Sequence, residues 1–224
     1  MKNQEHFVIF SHGFGVKKDD RGLLTNIADS LANCTSILFD YFNVDEINKT
    51  ITITSFGEQV KRLENVYNQT RSLHPDAVID IIGHSQGTII PPLAKLKGVR
   101  KTILLASPFD MSIERTIERY SKKPDCELNL DGMSRFYRLD GYYRFVPKEY
   151  WVERKNIKPA ELFNEFSKQT ELIIINANQD TILGAPNLSG LNSNIQVISL
   201  DGNHGFDGQD RDGLLKVIKE IIEK

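Results

Sequence analysis

Six short apolar runs punctuate the chain, at Phe7–Ser11, Ser36–Tyr41, Ala77–Ile82, Thr102–Ala106, Leu172–Ala177 and Ile195–Leu200. Nearly all are continuous rather than alternating, the pattern of strands buried on both faces. Between them, apolar residues recur at helical spacing. Leu23, Leu24, Ile27, Ala28 and Leu31 make one such face, with Asp19 and Asp20 placed to cap it. Ser55 and Glu58 stand at capping-box spacing, ahead of Phe56, Val60, Leu63, Tyr67 and Thr70. Leu214, Leu215, Val217, Ile218, Ile221 and Ile222 gather on one side of a C-terminal helix. Strand and helix in alternation predict an α/β protein, with a mostly parallel sheet of about six strands and helices on both faces.

The rhythm stops between Phe109 and Lys168, a stretch that holds eleven of the chain's twenty aromatic residues. Asp140 and Gly141, between β-prone arms, predict a two-residue hairpin turn. Pro159 opens a short helix ending near Phe166. The stretch leaves from the carboxyl end of one strand and returns before the next. It therefore predicts an insertion, about 109–168, over that edge of the sheet in a single domain spanning 1–224. Tyr142, Tyr143, Phe145 and Trp151 are its candidates for the wall of a small-molecule pocket, the alternative being rings that only pack the insertion on the sheet.

Composition narrows the class. The chain has 224 residues, 40% hydrophobic and 26% charged, enough for one substantial core. A net charge of -2 gives no electrostatic case for a nucleic-acid partner. Lys95, Lys97, Arg100 and Lys101 read as a solvated turn between helix and strand. Cys34 and Cys126 cannot build a disulfide framework. Met1–His6 carries no apolar signal region, and no uninterrupted apolar run approaches the ~18 residues of a membrane span. These features predict a cytoplasmic protein without a membrane span.

The chemistry concentrates at strand ends. Gly83-His84-Ser85-Gln86-Gly87 follows the run Ala77–Ile82 and precedes a helical pattern, the context in which G-x-S-x-G forms a sharp turn that lifts the serine hydroxyl clear of the sheet. A serine needs a base. Of five histidines, His204 lies after the last strand and before the last helix, at the carboxyl edge where ligands of open α/β sheets bind. His6 and His74 flank strands elsewhere, and His84 inside the turn should point away from the hydroxyl. Asp180 follows Leu172–Ala177 at the same edge, so Ser85, Asp180 and His204 are the candidate catalytic residues. Asp201 is the rival carboxylate; Asp207 and Asp210 suit the start of the last helix. An ordinary histidine would place the acid limb of activity near ~6.5.

The amide after the serine, that of Gln86, is one candidate oxyanion donor. His12-Gly13-Phe14-Gly15 follows the first strand and offers the Phe14 amide as the second, its glycines allowing close approach. A dinucleotide fingerprint is the competing reading of Gly13 and Gly15, but Lys18 stands where its third glycine belongs. Pro91 removes the N–H that would bond the Gly87 carbonyl, so the helix after the serine should begin irregularly.

Together, His12–Gly15, Gly83–Gly87, Leu104–Pro108, Asn178–Asp180 and Gly202–Phe206 resemble the α/β-hydrolase superfamily, in family order across most of the chain. Within it the chain looks most like small bacterial esterases grouped with cinnamoyl (feruloyl) esterases, monoacylglycerol lipases and dienelactone-hydrolase-like proteins. The resemblance implies an α/β-hydrolase fold, Ser85 as nucleophile, His204 as base, Asp180 as acid, and the Phe14 and Gln86 amides as oxyanion hole. It likens the insertion to a short cap that shapes the substrate pocket. Only six residues precede the first strand, so the family's first two strands are expected to be missing.

The expected function is therefore a serine hydrolase, needing no metal or cofactor, that cleaves a small-molecule carboxylic ester through an acyl-enzyme. Amide or peptide cleavage on the same triad, and a catalytically silent binding protein of the same fold, remain as alternatives.

Overall fold

The computed structural model describes residues 4–121, 123 and 125–224, apart from the side chains of Arg115 and Arg119. Residues 1–3 of the N-terminal stretch read above lie outside it. In chain order the elements are β1 (His6–Ser11), α1 (Leu23–Ser30), β2 (Thr35–Leu38), β3 (Asn43–Asp45), β4 (Thr50–Thr52), α2 (Phe56–Leu73), β5 (Val78–His84), α3 (Ile90–Ala94) and β6 (Lys101–Leu105). There follow α4 (Glu114–Tyr120), β7 (Cys126–Glu127), β8 (Ser134–Tyr137), β9 (Tyr143–Val146), α5 (Lys148–Arg154), α6 (Pro159–Phe166), β10 (Glu171–Ala177), β11 (Gln196–Leu200) and α7 (Asp210–Ile222).

The six expected strands form one parallel sheet in the order β11-β10-β6-β5-β1-β2. Period-two alternation splits its apolar residues between two cores. Phe7, Ile9, Ile79, Ile81, Leu104, Leu172 and Ile174 face one layer, where Leu63 and Tyr67 of α2 and Ile90 of α3 pack. Val8, Phe10, Ile82, Ile103, Leu105, Ile173 and Ile175 face the other, against Leu23 and Ile27 of α1 and Leu214, Ile218 and Ile222 of α7. Burial on both faces explains why the runs of β1, β5, β6 and β10 are continuous, whereas the edge strands β2 and β11 are half-buried or exposed.

The capping box at the start of α2 is present in full. The cap proposed for α1 is not. Its N-cap is Gly22, at φ +87°, with no side-chain hydrogen bond; Asp20 is buried and bonded elsewhere.

The insertion is more elaborate than one hairpin and one helix. A second sheet, β3-β4-β9-β8-β7, joins it to a small hairpin from the other half of the chain. β4 pairs in parallel with β9, and the β3–β4 hairpin brings only three residues per strand. The expected two-residue turn is a three-residue loop, because Gly141 N–H donates to Arg138 O and Arg138 N–H to Tyr142 O. Gly141, at φ +86°, occupies the bulge position of such a loop. Arg144, fully buried on β9, donates to the carbonyl of Gly15 at 2.8 Å and so bolts the insertion to the loop after β1.

Among the described residues, no helix is long and apolar enough to cross a membrane.

Candidate active site

Ser85 stands at the junction of β5 with a single 3₁₀ turn, Ser85–Thr88, at φ +53°. A non-glycine residue in this region is strained. The strain is maintained by close packing that only glycine permits. A Cβ on Gly87 would lie 2.1 Å from the carbonyl oxygen of Ser11, and one on Gly83 would lie 2.7 Å from that of Gly87. As Pro91 implied, the helix does not continue regularly: α3 starts afresh at Ile90 with proline in its first turn. The Gly87 carbonyl is taken instead by the Ser11 hydroxyl, 2.6 Å away.

The three candidate catalytic side chains meet. Ser85 Oγ lies 2.9 Å from His204 Nε2, and His204 Nδ1 lies 2.7 Å from Asp180 Oδ2. With Nδ1–H donating to the carboxylate, Nε2 carries the lone pair that faces the serine hydroxyl. The other carboxylate oxygen, Asp180 Oδ1, accepts from the amides of Ile182 and Leu183 at 2.8 and 2.9 Å. The side chain is thereby fixed by its own loop. Burial works against its charge, but the bonds from His204 and the two amides outweigh it and hold the carboxyl below its usual range. Asp201, the rival, lies outside this chain and accepts from Asn178 and Gln179 at 3.2 and 3.3 Å.

His204 is pushed down from 6.5, first by burial and further by the charge of His84, against the pull of Asp180. His84 turns not to Ser85 but to Asp20 and the backbone of His204. Its Nδ1 lies 2.7 Å from Asp20 Oδ2 and its Nε2 2.8 Å from the His204 carbonyl. Both ring nitrogens therefore have acceptors, which favours the doubly protonated form. Burial opposes that form, yet Asp20 and the carbonyl raise its pKa overall. Asp20 Oδ2 also accepts from Gly13 N–H at 2.8 Å. Asp20 and His84 thus tie the loop after β1 to the loop carrying His204.

The second glycine-rich loop comes close: a Cβ on Gly13 would be 3.2 Å from Cβ of Ser85. His12 anchors it, accepting from Tyr41 N–H at 2.9 Å with Nε2 while Nδ1 faces the Gly13 carbonyl at 3.0 Å. The amides of Phe14 and Gln86 donate to no protein acceptor among the described residues. Gln86 opens a helical turn, where N–H groups lack intrahelical partners. Its side chain belongs to a buried chain in which Tyr150 O–H donates to Gln86 Oε1 at 2.6 Å and Gln86 Nε2 donates to Gln59 Oε1 at 3.0 Å.

Ser85 and His204 open on a cavity of about 820 Å³ between the sheet edge and the insertion. Of the four aromatic candidates only Trp151 lines it, with its indole N–H donating to Ser134 Oγ at 3.1 Å. Tyr142, Tyr143 and Phe145 do not. Pleating decides the parity: on β9 it is Arg144 and Val146 that turn inward, so Tyr143 and Phe145 face away, and the Tyr142 hydroxyl is drawn to Glu46 and Lys17. The rings that do reach the cavity are those of Phe14, Tyr120, Tyr137 and Trp151. Tyr120 and Tyr137 were missed because their helix and strand could not be aligned with the sheet from sequence.

Among solved structures, Est1E from Butyrivibrio proteoclasticus is 16% identical, superposes with a TM-score of 0.70, and is matched over 100% of this chain and 88% of its own. An esterase domain from a Rhodothermus marinus protein gives 16%, 0.69, 99% and 88% in the same order. An α/β serine hydrolase homologue from Coxiella burnetii gives 16%, 0.56, 99% and 86%. The chain has the α/β-hydrolase fold. Its sheet reproduces the six parallel strands expected of that fold here, with Ser85 after β5, Asp180 after β10 and His204 after β11. No protein-family model matches the sequence, and no curated protein is similar to it.

Proposed function

We propose that the protein is a serine hydrolase that cleaves a small-molecule carboxylic ester through an acyl-enzyme. The observation that carries this reading is the unbroken relay from Ser85 Oγ through His204 to Asp180, at 2.9 and 2.7 Å, on a serine held at positive φ. In the reaction, His204 Nε2 takes the hydroxyl proton as Oγ attacks the ester carbonyl. Asp180 stabilises the imidazolium that results. The carbonyl oxygen becomes an oxyanion, and the unpaired amides of Phe14 and Gln86 are the donors assigned to it. His204 then returns the proton to the departing alcohol, leaving an acyl-serine. A water, deprotonated by the same histidine, releases the acid.

The insertion, about 109–168, acts in this reading as a cap on the single domain, with Phe14, Tyr137 and Trp151 as pocket walls. Tyr142, Tyr143 and Phe145 stand outside that pocket. Structural neighbours that are esterases support an ester over an amide as substrate. Both cysteines are free, which supports a cytoplasmic location. Turnover of p-nitrophenyl esters of graded chain length, with no turnover of matched anilides, tests the reading. Turnover of anilides alone would favour an amidase, and no turnover of either a silent binding protein.

A further inference from the structure

The cavity over Ser85 contains a cation that the proposed reaction leaves unused. Arg138 follows β8, and its guanidinium carbon lies 5.4 Å from the centre of the Phe14 ring. A Cβ on Gly15 would be 3.5 Å from that carbon. The side chain is half-buried yet densely surrounded by protein, because what it exposes it exposes to the cavity.

Three of the acids on the cavity wall have cations of their own. Asp140 pairs with Arg144, Asp20 with His84, and Asp207 with Arg211. Arg154, also on the cavity wall, donates to the carbonyls of Met111 and Ser112 and to the Tyr150 hydroxyl. Arg138 has the Tyr120 hydroxyl as a hydrogen-bond partner and forms no ion pair with a carboxylate among the described residues. The residues outside the description include no acid. Burial lowers the pKa of Arg138, and the charges of Arg144 and Arg21 add to the effect. A desolvated guanidinium with no carboxylate in contact is costly, and a planar carboxylate satisfies its donor fork bidentately.

We propose that the substrate is an ester that also carries a free carboxylate, which Arg138 binds while Ser85 attacks the ester carbonyl of the same molecule. This rests on the ester-hydrolase reading. Arg138 would fix the substrate by its charged end, and Phe14, beneath the guanidinium, would lie between the two recognition points.

The test compares 4-nitrophenyl half-esters of succinate, glutarate and adipate with their methyl diesters, each corrected for uncatalysed hydrolysis. At least one half-ester should exceed its neutral partner by tenfold or more in kcat/KM, chiefly through KM. Arg138→Gln should collapse that ratio towards one, and Arg138→Lys should restore part of it. If no half-ester outruns its diester, or if Arg138→Gln lowers both in proportion, the proposal is overturned while the ester-hydrolase reading stands. If neither class is hydrolysed, that reading fails instead. Calorimetric titration of the wild-type protein with glutarate and with neutral glutaramide then decides the anion site, and also serves if Arg138→Gln does not fold. Binding of glutarate alone supports the site; equal binding or none overturns it.

Discussion

The ring of His84 lies 5.0 Å from that of His204, centre to centre, and the two carry opposite pKa shifts. His84, raised by Asp20, keeps its proton to higher pH. His204, lowered by burial and by that neighbouring charge, gives its proton up at lower pH.

The acid limb of kcat/KM should therefore lie below the ordinary histidine value of about 6.5, because the base becomes neutral early. His84→Gln removes the cation and should move the limb to higher pH, by a few tenths of a unit to about one unit. A limb that stays put or moves down would show that His84 exerts no electrostatic effect on the base. The sign for stability is opposite. A raised folded pKa means that His84 contributes fully below about 6.5 and that the contribution is lost as pH rises through its folded value.

Asp180→Asn should lower kcat by roughly 10⁴-fold, by analogy with carboxylates that fix the tautomer of a triad histidine. The protein should remain folded by circular dichroism, since the amide oxygen can still accept from Ile182 and Leu183. Asp201→Asn should change kcat only slightly, because Asp201 bonds Asn178 and Gln179 rather than His204. The reverse pattern would mean that Asp201 is the acid.

The aromatic residues of the insertion divide by position. Tyr142→Ala should leave relative rates across an ester series unaltered, since its hydroxyl is engaged by Glu46 and Lys17 away from the cavity. Trp151→Ala should lower stability by about 3–5 kcal/mol, as expected for truncating a fully buried indole. It should also change the ester preference, because the ring lines the cavity. Altered preference in Tyr142→Ala, with none in Trp151→Ala, would contradict this placement.

Much of this site could be read in the chain because its chemistry sits at strand ends, which apolar runs mark well. Ser85 and Asp180 each follow a run buried on both faces, and His204 follows the edge strand β11, so their shared sheet edge follows from topology alone. The role of Asp20 could not be read. Beside the start of α1 it looks like a cap, and only the tertiary fold brings it to Gly13, seven residues away, and to His84, sixty-four away. The parity of β9 was equally hidden. Tyr143 and Phe145 are the more apolar set, yet Arg144 turns inward because the Gly15 carbonyl and Asp140 receive it. The β3–β4 hairpin escaped notice because three-residue strands carry almost no periodic signal, and β4 finds its partner in β9, about ninety residues on.

Covalent labelling bears most directly on Ser85. A fluorophosphonate reacts only with a serine whose proton is being withdrawn, and here one relay, through His204, reaches such a hydroxyl at 2.9 Å. Mass spectrometry of the labelled protein should place a single adduct on the peptide containing Ser85. Ser85→Ala should abolish the adduct and leave at most the ~10³–10⁴-fold residual rate enhancement that binding and an oxyanion hole supply. An adduct on any other serine, or ester turnover undiminished in Ser85→Ala, would show that the reaction does not run through this residue.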